Sequence, residues 1–509
     1  MGLHDFTFYD VICRNAAAFE NRLAWFEADD GRTLTFAQFK KAVDRLACGL
    51  QSIGIEMGER IGILGKNSLE YFLLYGAAAA LGAVVLPINW RLSADEAIFN
   101  LADCTPAALF IDSDFEAMIT AAKDQLDFVR HIFNLNVNEG SLKNIAVLLD
   151  NSGRFDAPDV SGDDGFVIIH TAAVAGRPRG ALLSHTNMLS ANLALNICFQ
   201  LTCLDVHLNL LPLFHVGGLF MASNSFHAGA ANINMSKFDA DQAVELIETH
   251  RVSLLFDFAP ILSSILESQA KTGRNIQTLR TVMGIEGPEI IEAYQQRTGG
   301  RFYCLYGQTE TSCIATMGSY DDQPGSAGKP VPLARVRLVN DYDEPVAAES
   351  IGEITVKGPM VFKGYWNLPQ DNADIFRDGW HHTGDLGRFD EKGYLWYAGR
   401  KAEKELIKPG GENVYPAEVE KVILQHSAIA KTVVFGVPDP KWKEGIKAVC
   451  QLKPEQSLTA DALIQFVGGR IARYKKPQYV EFVDELPLNE NGEVDRPAAK
   501  ARYGGNDEK

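Results

Sequence analysis

The chain has 509 residues, a formal net charge of −17 at pH 7 and eight cysteines. This length exceeds what one hydrophobic core organises, so we expect several packed units. The negative charge opposes nonspecific attraction to nucleic acid and to anionic membranes. No apolar run reaches the ~18 residues that a membrane span needs, and no secretory signal begins the chain. The scattered cysteines include no Cys-x-x-Cys pair, which argues against a zinc cluster and favours reduced thiols in the cytoplasm.

Helical and strand patterns alternate along the first part of the chain. Apolar residues at helical spacing run from Phe36 to Ile53, and Arg60 to Gly65 predicts a strand. Ser68 to Leu81 predicts a helix that begins at an Asn67/Ser68 cap. The same alternation resumes from Gly165 to about residue 330. Such alternation is typical of parallel sheets covered by helices on both faces.

The pattern changes after Ala334. Short β-rich runs separated by Gly and Asp turns extend to Arg400, and they predict a small β-barrel or β-sandwich. A charged stretch follows, and the last residues of the chain, about 105, have α+β character and the length of an independent small domain. We therefore expect an α/β fold in which residues 1–400 form two parallel-type α/β subdomains plus a small β-barrel. Residues 401–509 form a second domain, with a hinge at about 400–406.

Five short segments carry residues suited to binding an anionic ligand. In chain order they are Thr171–His185, Leu211–Leu219, Tyr306–Glu310, Asp378–Arg400 and Leu406–Glu420. The first is a turn of small residues after a strand, where backbone N–H groups can approach a phosphate, although a plain connecting turn has the same pattern. The last is a Gly-rich loop before a helix start, which any helix N-terminus resembles.

The other three segments offer side-chain chemistry. His215 lies among apolar residues, so a buried structural histidine competes with a ligand contact. Glu310 follows a strand, where it could hold Mg²⁺ while Thr309 contacts a phosphate. Asp385 is predicted on a turn, where it could accept hydrogen bonds from both hydroxyls of a ribose. A solvated turn carboxylate is the alternative there.

Taken together, in this order and spacing, the five segments closely resemble the adenylate-forming superfamily. That superfamily comprises acyl-CoA synthetases, peptide-synthetase adenylation domains and luciferases, and the chain is most similar to bacterial AMP-forming ligases of fatty and aromatic acids. The resemblance implies that a carboxylate first reacts with ATP to give an acyl-adenylate and pyrophosphate. A mobile C-terminal domain then rotates, with a pivot placed near Glu405, and the thiolate of CoA displaces AMP.

The resemblance also implies a role for each matching residue. Asp385 and Arg400 would hold the ribose, Tyr306 would stack near adenine, and Thr309 would contact the α-phosphate. Glu310 would ligate Mg²⁺, and His215 would line the acyl site. The loop that enters the site for thioester formation would contain Gly410, Gly411 and Glu412. The remaining nucleotide-binding positions would be Thr171, Gly176, Gly180, Glu286, Gly287, Gly307, Gln308 and Lys408.

The phosphate loop departs from the family pattern, which is Thr-Ser-Gly-Thr-Thr-Gly-x-Pro-Lys-Gly. Three hydroxyl positions are Ala172, Val174 and Ala175 here, Ala173 replaces a glycine, and Arg179 replaces the lysine. Each charge-assisted hydrogen bond lost is worth ~1.5–3 kcal/mol, so adenylation would slow. Arginine can compensate in part because a guanidinium grips phosphate bidentately.

Two further departures concern adenylation. Glu493 stands where the family has a lysine that contacts the substrate carboxylate and the α-phosphate, and a carboxylate there would repel each by ~1 kcal/mol or more. The adenine loop, Met283–Pro288, is about two residues short. Three functions stay open: a working ligase, an enzyme that performs only the thioester step from a preformed acyl-adenylate, and a non-catalytic binding relative.

The predicted acyl pocket is mostly apolar and aromatic. Its segments are Leu213–Phe220, Phe256–Pro260, Gly284–Gly287 and Cys304–Tyr306. They favour a fatty, alicyclic or aromatic carboxylate, and Asp257 and Glu286 would disfavour a second negative charge if they face the pocket. The expected ligands are ATP or AMP, CoA, Mg²⁺ and this small-molecule acid, without nucleic acid or a membrane span. A homodimer remains open.

Overall fold

The computed structural model describes residues 2–136, 140–153, 155–174, 177–401, 406–412, 414–440, 442–489 and 494–505. Helices and strands alternate over the first two thirds of the chain. The helices there are α1 (Phe8–Ala18), α2 (Phe36–Ser52), α3 (Leu69–Leu81), α4 (Ala94–Cys104), α5 (Glu116–Ala121), α6 (Ala146–Leu149), α7 (His185–Phe199), α8 (Val216–Ala228), α9 (Ala240–His250), α10 (Ile261–Thr272) and α11 (Pro288–Thr298). The strands there are β1 (Leu23–Glu27), β2 (Thr33–Thr35), β3 (Arg60–Leu64), β4 (Val84–Pro87), β5 (Ala108–Ile111), β6 (His131–Asn134), β7 (Lys143–Asn144), β8 (Gly165–Val174), β9 (Arg177–Ser184), β10 (Val206–Asn209), β11 (Ala231–Asn234), β12 (Leu254–Phe258), β13 (Thr281–Ile285), β14 (Arg301–Tyr306), β15 (Thr316–Ser319) and β16 (Lys329–Pro330).

Shorter elements complete the chain. The later strands are β17 (Arg335–Val339), β18 (Gly352–Lys357), β19 (Gly364–Tyr365), β20 (Phe376–Arg377), β21 (Trp380–Phe389), β22 (Leu395–Arg400), β23 (Ile429–Asp439), β24 (Lys443–Leu452) and β25 (Tyr479–Val483). The later helices are α12 (Pro369–Ile375), α13 (Pro416–Ile423), α14 (Ala460–Gly468) and α15 (Arg496–Tyr503). No helix among the described residues is long and apolar enough to cross a membrane.

Two large sheets form the core of the N-terminal domain. One has nine strands in the order β16-β15-β14-β13-β12-β10-β11-β1-β2, and the other has eight in the order β19-β9-β8-β4-β3-β5-β6-β7. Pairing is parallel from β14 to β1 in the first sheet and from β8 to β7 in the second. The two parallel-type α/β subdomains predicted from the sequence are therefore confirmed.

Helix α3 illustrates how apolar residues and capping residues define a helix in this chain. All of its residues are buried, and it packs against α1, α2 and β4. The side chain of Ser68 accepts a hydrogen bond from the backbone N–H of Tyr71, which caps the first turn, as predicted. Gly82 ends the helix at φ 68°, a left-handed conformation that glycine adopts without a steric cost.

The segment after His170 is not the turn that the sequence predicted. Strand β8 continues to Val174 and pairs antiparallel with β9, so that Thr171 lies opposite Arg179 and Val174 opposite Arg177. The reason is that no residue between His170 and Gly176 favours a turn, while Thr and Val favour a strand. The chain thus forms a β8–β9 hairpin before α7 begins.

The region predicted as a small β-barrel or β-sandwich forms a five-stranded antiparallel sheet. Its order is β17-β18-β21-β20, with β22 also paired to β21. The C-terminal domain is built on a second small sheet, β23-β24-β25, covered by α13, α14 and α15. Residues 402–405, which include the predicted pivot Glu405, lie outside the described residues.

Candidate active site

A cavity of about 780 Å³ opens between the two domains. Its wall includes Phe258, Ile285 and Tyr306, which are the last residues of β12, β13 and β14. Open α/β sheets place ligands beyond the carboxyl ends of their strands, so this is the expected position for a site. Lys408 and Tyr415 of the C-terminal domain close the cavity from the other side.

Asp385 lies on this cavity and is 2% exposed. The hydroxyl of Tyr306 donates to its Oδ2 at 2.8 Å, and the side-chain amide of Gln308 donates to the same oxygen at 2.5 Å. Nε of Arg400 lies 3.0 Å from Oδ1. The predicted turn at Asp385 is wrong, because the residue lies within β21, next to Gly384 at φ 70°. The strand fixes this carboxylate among donors that reach it from three segments.

The electrostatic setting keeps Tyr306 protonated. Burial, together with the neighbouring carboxylate of Asp385, raises the pKa of its hydroxyl well above the ordinary value. The hydroxyl therefore remains a donor to Asp385, and the ring is held on the cavity wall beside the ring of Tyr397, with a 27° angle between their planes. A flat ring held in this way is suited to stacking against a planar ligand.

Glu310 is held by an aromatic neighbour that sequence reasoning missed. The hydroxyl of Tyr365 donates to Oε1 of Glu310 at 2.6 Å, and both residues line the cavity. Tyr365 uses only one of the two carboxylate oxygens. A carboxylate oxygen on a cavity wall is the kind of ligand that Mg²⁺ prefers, so the residue present fits the predicted metal role.

Arg179 also lines the cavity, but its charge is held by protein groups. The guanidinium lies 4.0 Å from the ring centre of Tyr365, and one of its nitrogens is 3.1 Å from Oδ1 of Asp371. Thr171, opposite Arg179 in the β8–β9 hairpin, is a further wall residue. Arg179 and Thr171 of the hairpin therefore bring a cation and a hydroxyl to the site, and Gly176 lies outside the described residues.

His215 is a buried structural histidine that also lies on the cavity wall. Its Nδ1 accepts a hydrogen bond from the backbone N–H of Gly217 at 3.2 Å and caps α8, while the ring lines the cavity edge-to-face with Phe258. Burial lowers the pKa of the imidazole. A neutral ring that accepts at Nδ1 carries its proton on Nε2.

The Gly-rich loop of the C-terminal domain docks on the N-terminal domain. Lys408 lies on the cavity wall, and burial lowers the pKa of its amine. Glu412 forms an ion pair with Arg91. Gly410 and Gly411 lie between these two contacts, and Gly410, at φ 58°, packs so close to the ring of Trp442 that a Cβ would lie 2.8 Å from it. A glycine is therefore required at position 410.

Several predicted residues lie elsewhere. Gly180 pairs with His170 inside the hairpin and faces Ile168, not the cavity. Asp257 is not part of the cavity wall, because its neighbours on β12 face the cavity and its own Oδ1 accepts from the N–H of Leu262 at 2.9 Å. Glu493 lies outside the described residues. In addition to the residues described above, four predicted positions line the cavity: Glu286, Gly307, Gln308 and Thr309.

Gly287 does not line the cavity, but it contacts the wall residue Glu286. Lys443 of the C-terminal domain contacts the same residue. The backbone N–H of Gly287 donates to Oε1 of Glu286 at 2.7 Å. Nζ of Lys443 lies 2.5 Å from the same oxygen. No local pattern pointed to Lys443, which lies more than 150 residues further along the chain.

The family follows from comparison with known proteins. The model of the AMP-binding enzyme family matches residues 12–366, and that of the AMP-binding enzyme C-terminal domain matches residues 418–493. The chain belongs to the AMP-binding enzyme family. It is 38% identical over 474 residues to an indoleacetate–CoA ligase of Aromatoleum aromaticum, covering 91% of this chain and 92% of that one. This AMP-binding enzyme is accordingly an acid–CoA ligase.

Two solved structures of one relative match this AMP-binding enzyme to different degrees. The o-succinylbenzoate CoA synthetase of Bacillus subtilis is 28% identical, and the match covers 97% of this chain and 98% of that one. The TM-score is 0.86 against a double mutant bound with a product analogue, OSB-NCoA, and 0.71 against the complex with AMP. The structure described here is therefore more similar overall to the product-analogue complex.

Another group of ligand-type side chains lies outside the cavity. Among the residues described, Asp103, Cys104 and His170 bring three such atoms within 4.8 Å of one another. Nε2 of His170 is 2.9 Å from Oδ2 of Asp103, and this hydrogen bond accounts for their approach. In this AMP-binding enzyme the group joins the end of α4 to β8.

Proposed function

We propose that this acid–CoA ligase activates an apolar carboxylate of the aromatic, alicyclic or fatty class. The observation that carries the proposal is the wall of the cavity beyond β12, β13 and β14. There the side chains of Phe256, Phe258, Ile285 and Leu305 face the space next to His215. Apolar and aromatic walls bind apolar groups by burying their surface. The name of the indoleacetate–CoA ligase supports the aromatic member of this class.

Charge on the wall supports the same class of substrate. Glu286 lines the cavity, and its Oε2 is buried without a hydrogen-bond partner among the described residues. Its Oε1 pairs with Lys443, so the carboxylate offers no donor to a second carboxylate on the substrate. We therefore expect monocarboxylates to be accepted and dicarboxylates of similar length to be rejected.

Chemistry proceeds in two steps at one site. The substrate carboxylate attacks the α-phosphorus of ATP, so that an acyl–phosphate bond forms and pyrophosphate leaves. The sulfur of the CoA thiolate then attacks the acyl carbon, a C–S bond forms, and the C–O bond to AMP breaks. In this proposal Asp385 and Arg400 hold the ribose, the ring of Tyr306 supports the adenine, and Thr309 contacts the α-phosphate. Glu310 would ligate Mg²⁺, which neutralises phosphate charge when bound.

The deciding experiment is carboxylate-dependent ATP–pyrophosphate exchange with Mg²⁺, followed by thioester formation with CoA. The panel pairs indole-3-acetate, cinnamate, cyclohexanecarboxylate and octanoate with succinate and glutamate as charged controls. We expect exchange and thioester formation with one of the apolar classes and neither with the controls. Preference for a charged acid would overturn the substrate assignment.

A second candidate function is an enzyme that is slow in adenylation and efficient in thioester formation. It is favoured by the environment of Arg179, whose charge is held by Tyr365 and Asp371. The carboxylate of Glu493, at the position where related enzymes carry a lysine, also favours it. This candidate predicts weak exchange but rapid release of AMP from a preformed acyl-adenylate and CoA.

Glu493→Lys tests this candidate directly. A cation at that position would attract the substrate carboxylate and the α-phosphate, so we expect pyrophosphate exchange to rise about tenfold, a gain of about 1.4 kcal/mol. Thioester formation from the preformed acyl-adenylate should not change. Glu485→Lys, which makes the same change of charge nearby in the chain, is the matched control. An unchanged or lower exchange rate in Glu493→Lys would show that this position does not limit adenylation.

A further inference from the structure

Among the described residues beyond Lys401 in the hinge, ion pairs join the C-terminal domain to the N-terminal domain. They are Arg91–Glu412, Glu286–Lys443 at 2.5 Å and Glu96–Lys475 at 2.6 Å. The cations differ in exposure: the side chain of Lys443 is 52% exposed, that of Arg91 36%, and that of Lys475 only 4%. Exposed pairs contribute little because water screens them. Lys475 is the buried cation of the three, so it depends most on the carboxylates that surround it.

Lys475 is held between carboxylates from both domains. Its Nζ lies 2.6 Å from Oε1 of Glu96 in the N-terminal domain and 2.6 Å from Oε2 of Glu418 in its own domain. Burial alone would lower the pKa of this amine, but the two carboxylates outweigh it and raise the pKa above its usual value. The lysine is therefore charged when the domains are docked as described.

Glu96 is itself fixed before docking. It is the third residue of α4, where its Oε2 accepts from the backbone N–H and the hydroxyl of Ser93 at 2.9 and 2.8 Å. The same oxygen accepts from the backbone N–H of Ala472 at 3.1 Å. One carboxylate thus closes a helix cap and receives two donors from the C-terminal domain.

The contact is linked to the active site through a short helix. Glu418, the second partner of Lys475, lies in the first turn of α13 and accepts from the backbone N–H of Tyr415 at 3.4 Å. Tyr415 is one of the residues that the C-terminal domain contributes to the cavity wall. When Lys475 engages Glu96, the first turn of α13 is therefore held where Tyr415 meets the cavity.

We propose that the Glu96–Lys475 pair positions the C-terminal domain for thioester formation and is not needed for adenylation. Lys475 is a positioning residue that acts through Glu418 and Tyr415, and it does not touch the reacting atoms. The proposal rests on the ligase function above. It is supported by the higher TM-score against the relative that carries a product analogue.

Glu96→Gln is the sharpest variant for the test. A glutamine still accepts from Ser93 and keeps the cap on α4, because Glu and Gln serve equally at this position of a capping box. It removes the charge that Lys475 meets across the domain boundary and replaces the accepting Oε1 by an amide donor. Glu59→Gln is the matched control, since Glu59 pairs with Arg130 at 2.7 Å within the N-terminal domain.

The two half-reactions are measured separately on the full chain. We expect Glu96→Gln to slow thioester formation from preformed acyl-adenylate and CoA by about tenfold, the effect of about one charge-assisted hydrogen bond, while pyrophosphate exchange stays within about twofold. Lys475→Met should have the same signature, and the double variant should be no slower than the slower single one. Equal losses in both half-reactions, or no loss in thioester formation, would overturn the proposal.

A second readout does not depend on activity. The backbone N–H of Ala472 is protected by Glu96, so its hydrogen exchange should quicken in Glu96→Gln and stay unchanged in Glu59→Gln. Unchanged exchange at Ala472 would show that the pair does not hold the domains in solution. If wild type forms no adenylate and no thioester while Ala472 responds as expected, the ligase function fails and the docking contact stands.

Discussion

Asp385 accepts from side chains on three separate segments: Tyr306 at the end of β14, Gln308 in the turn that follows, and Arg400 at the end of β22. Its carboxylate therefore orders this part of the cavity before any ligand arrives. A carboxylate held by preplaced donors loses little freedom when it binds a ribose, and such preorganisation favours affinity.

Asp385→Asn should weaken AMP binding by at least about tenfold, because the charged acceptor is lost and an N–H donor is placed among donors. Isothermal titration with AMP measures the effect. Asp343→Asn is the matched control, since Asp343 pairs with Arg377 at 2.8 Å away from the cavity. Unchanged affinity in Asp385→Asn, with a folded protein, would remove Asp385 from the nucleotide site.

Among the elements, α8 shows how a glycine sets the space available to the acyl group. Gly217 lines the cavity, where a Cβ would lie 3.2 Å from a ring carbon of Phe256 and 3.3 Å from Nδ1 of His215. The next residue, Gly218, leaves no room for a side chain, because an added Cβ would lie 2.2 Å from the carbonyl oxygen of Pro212. The first glycine shapes the cavity, and the second permits the close approach of helix and loop.

Gly217→Ala should raise KM for bicyclic aromatic acids by roughly tenfold while leaving KM for short linear acids nearly unchanged, because an added methyl group narrows the cavity. Steady-state kinetics over the two classes measure the ratio. Gly469→Ala, in the C-terminal domain and away from the cavity, is the control. An equal rise for both classes would mean that the methyl group disturbs α8 and not the acyl space.

Sequence patterns predicted elements whose apolar spacing is regular and local. The limits of α2 and α3 agree with the predicted helices to within one residue, and β3 agrees equally well. The β8–β9 hairpin was missed because the small residues after His170 were interpreted as a turn, while Thr171 and Val174 favour strand pairing.

The sequence predicted the residues of the candidate site that belong to short motifs in or next to strands. Tyr306, Glu310 and Asp385 were placed by resemblance and do meet at one cavity. Tyr365 and Lys443 were not found, since each reaches the site from a distant segment and only the packing of whole domains brings it there. Long-range pairing of this kind leaves no periodic trace in one sequence.

For the molecule as a whole, buried neutral histidines set its response to acid. His207 is fully buried in β10 and has its Nδ1 2.8 Å from Oδ1 of Asn232, and burial lowers its pKa to about 4. The unfolded chain takes up a proton below about pH 6.5, but the folded chain does not. The contribution of His207 to the free energy of unfolding is therefore complete above about pH 6.5. It is lost progressively as the pH falls toward 4.

His207→Gln keeps a hydrogen-bond donor toward Asn232 and removes this titration. We expect the loss of unfolding free energy between pH 7 and pH 5 to shrink by about 2 kcal/mol relative to wild type, as measured by urea unfolding. His4→Gln, which changes an exposed histidine, should leave that loss unaltered. The same pH dependence in His207→Gln and wild type would show that another group titrates.

The position of α4 has a mechanical consequence. Its first turn carries Glu96, which receives the C-terminal domain, and its last turn carries Asp103, which is hydrogen-bonded to His170 on β8. His170 is followed directly by Thr171 on the cavity wall. The helix has 11 residues and is about 16 Å long, and it connects the docked domain to the hairpin as a rigid element. A tilt imposed at one end displaces the other, so that arrival or departure of the small domain reaches the strand that carries Thr171 on the cavity wall.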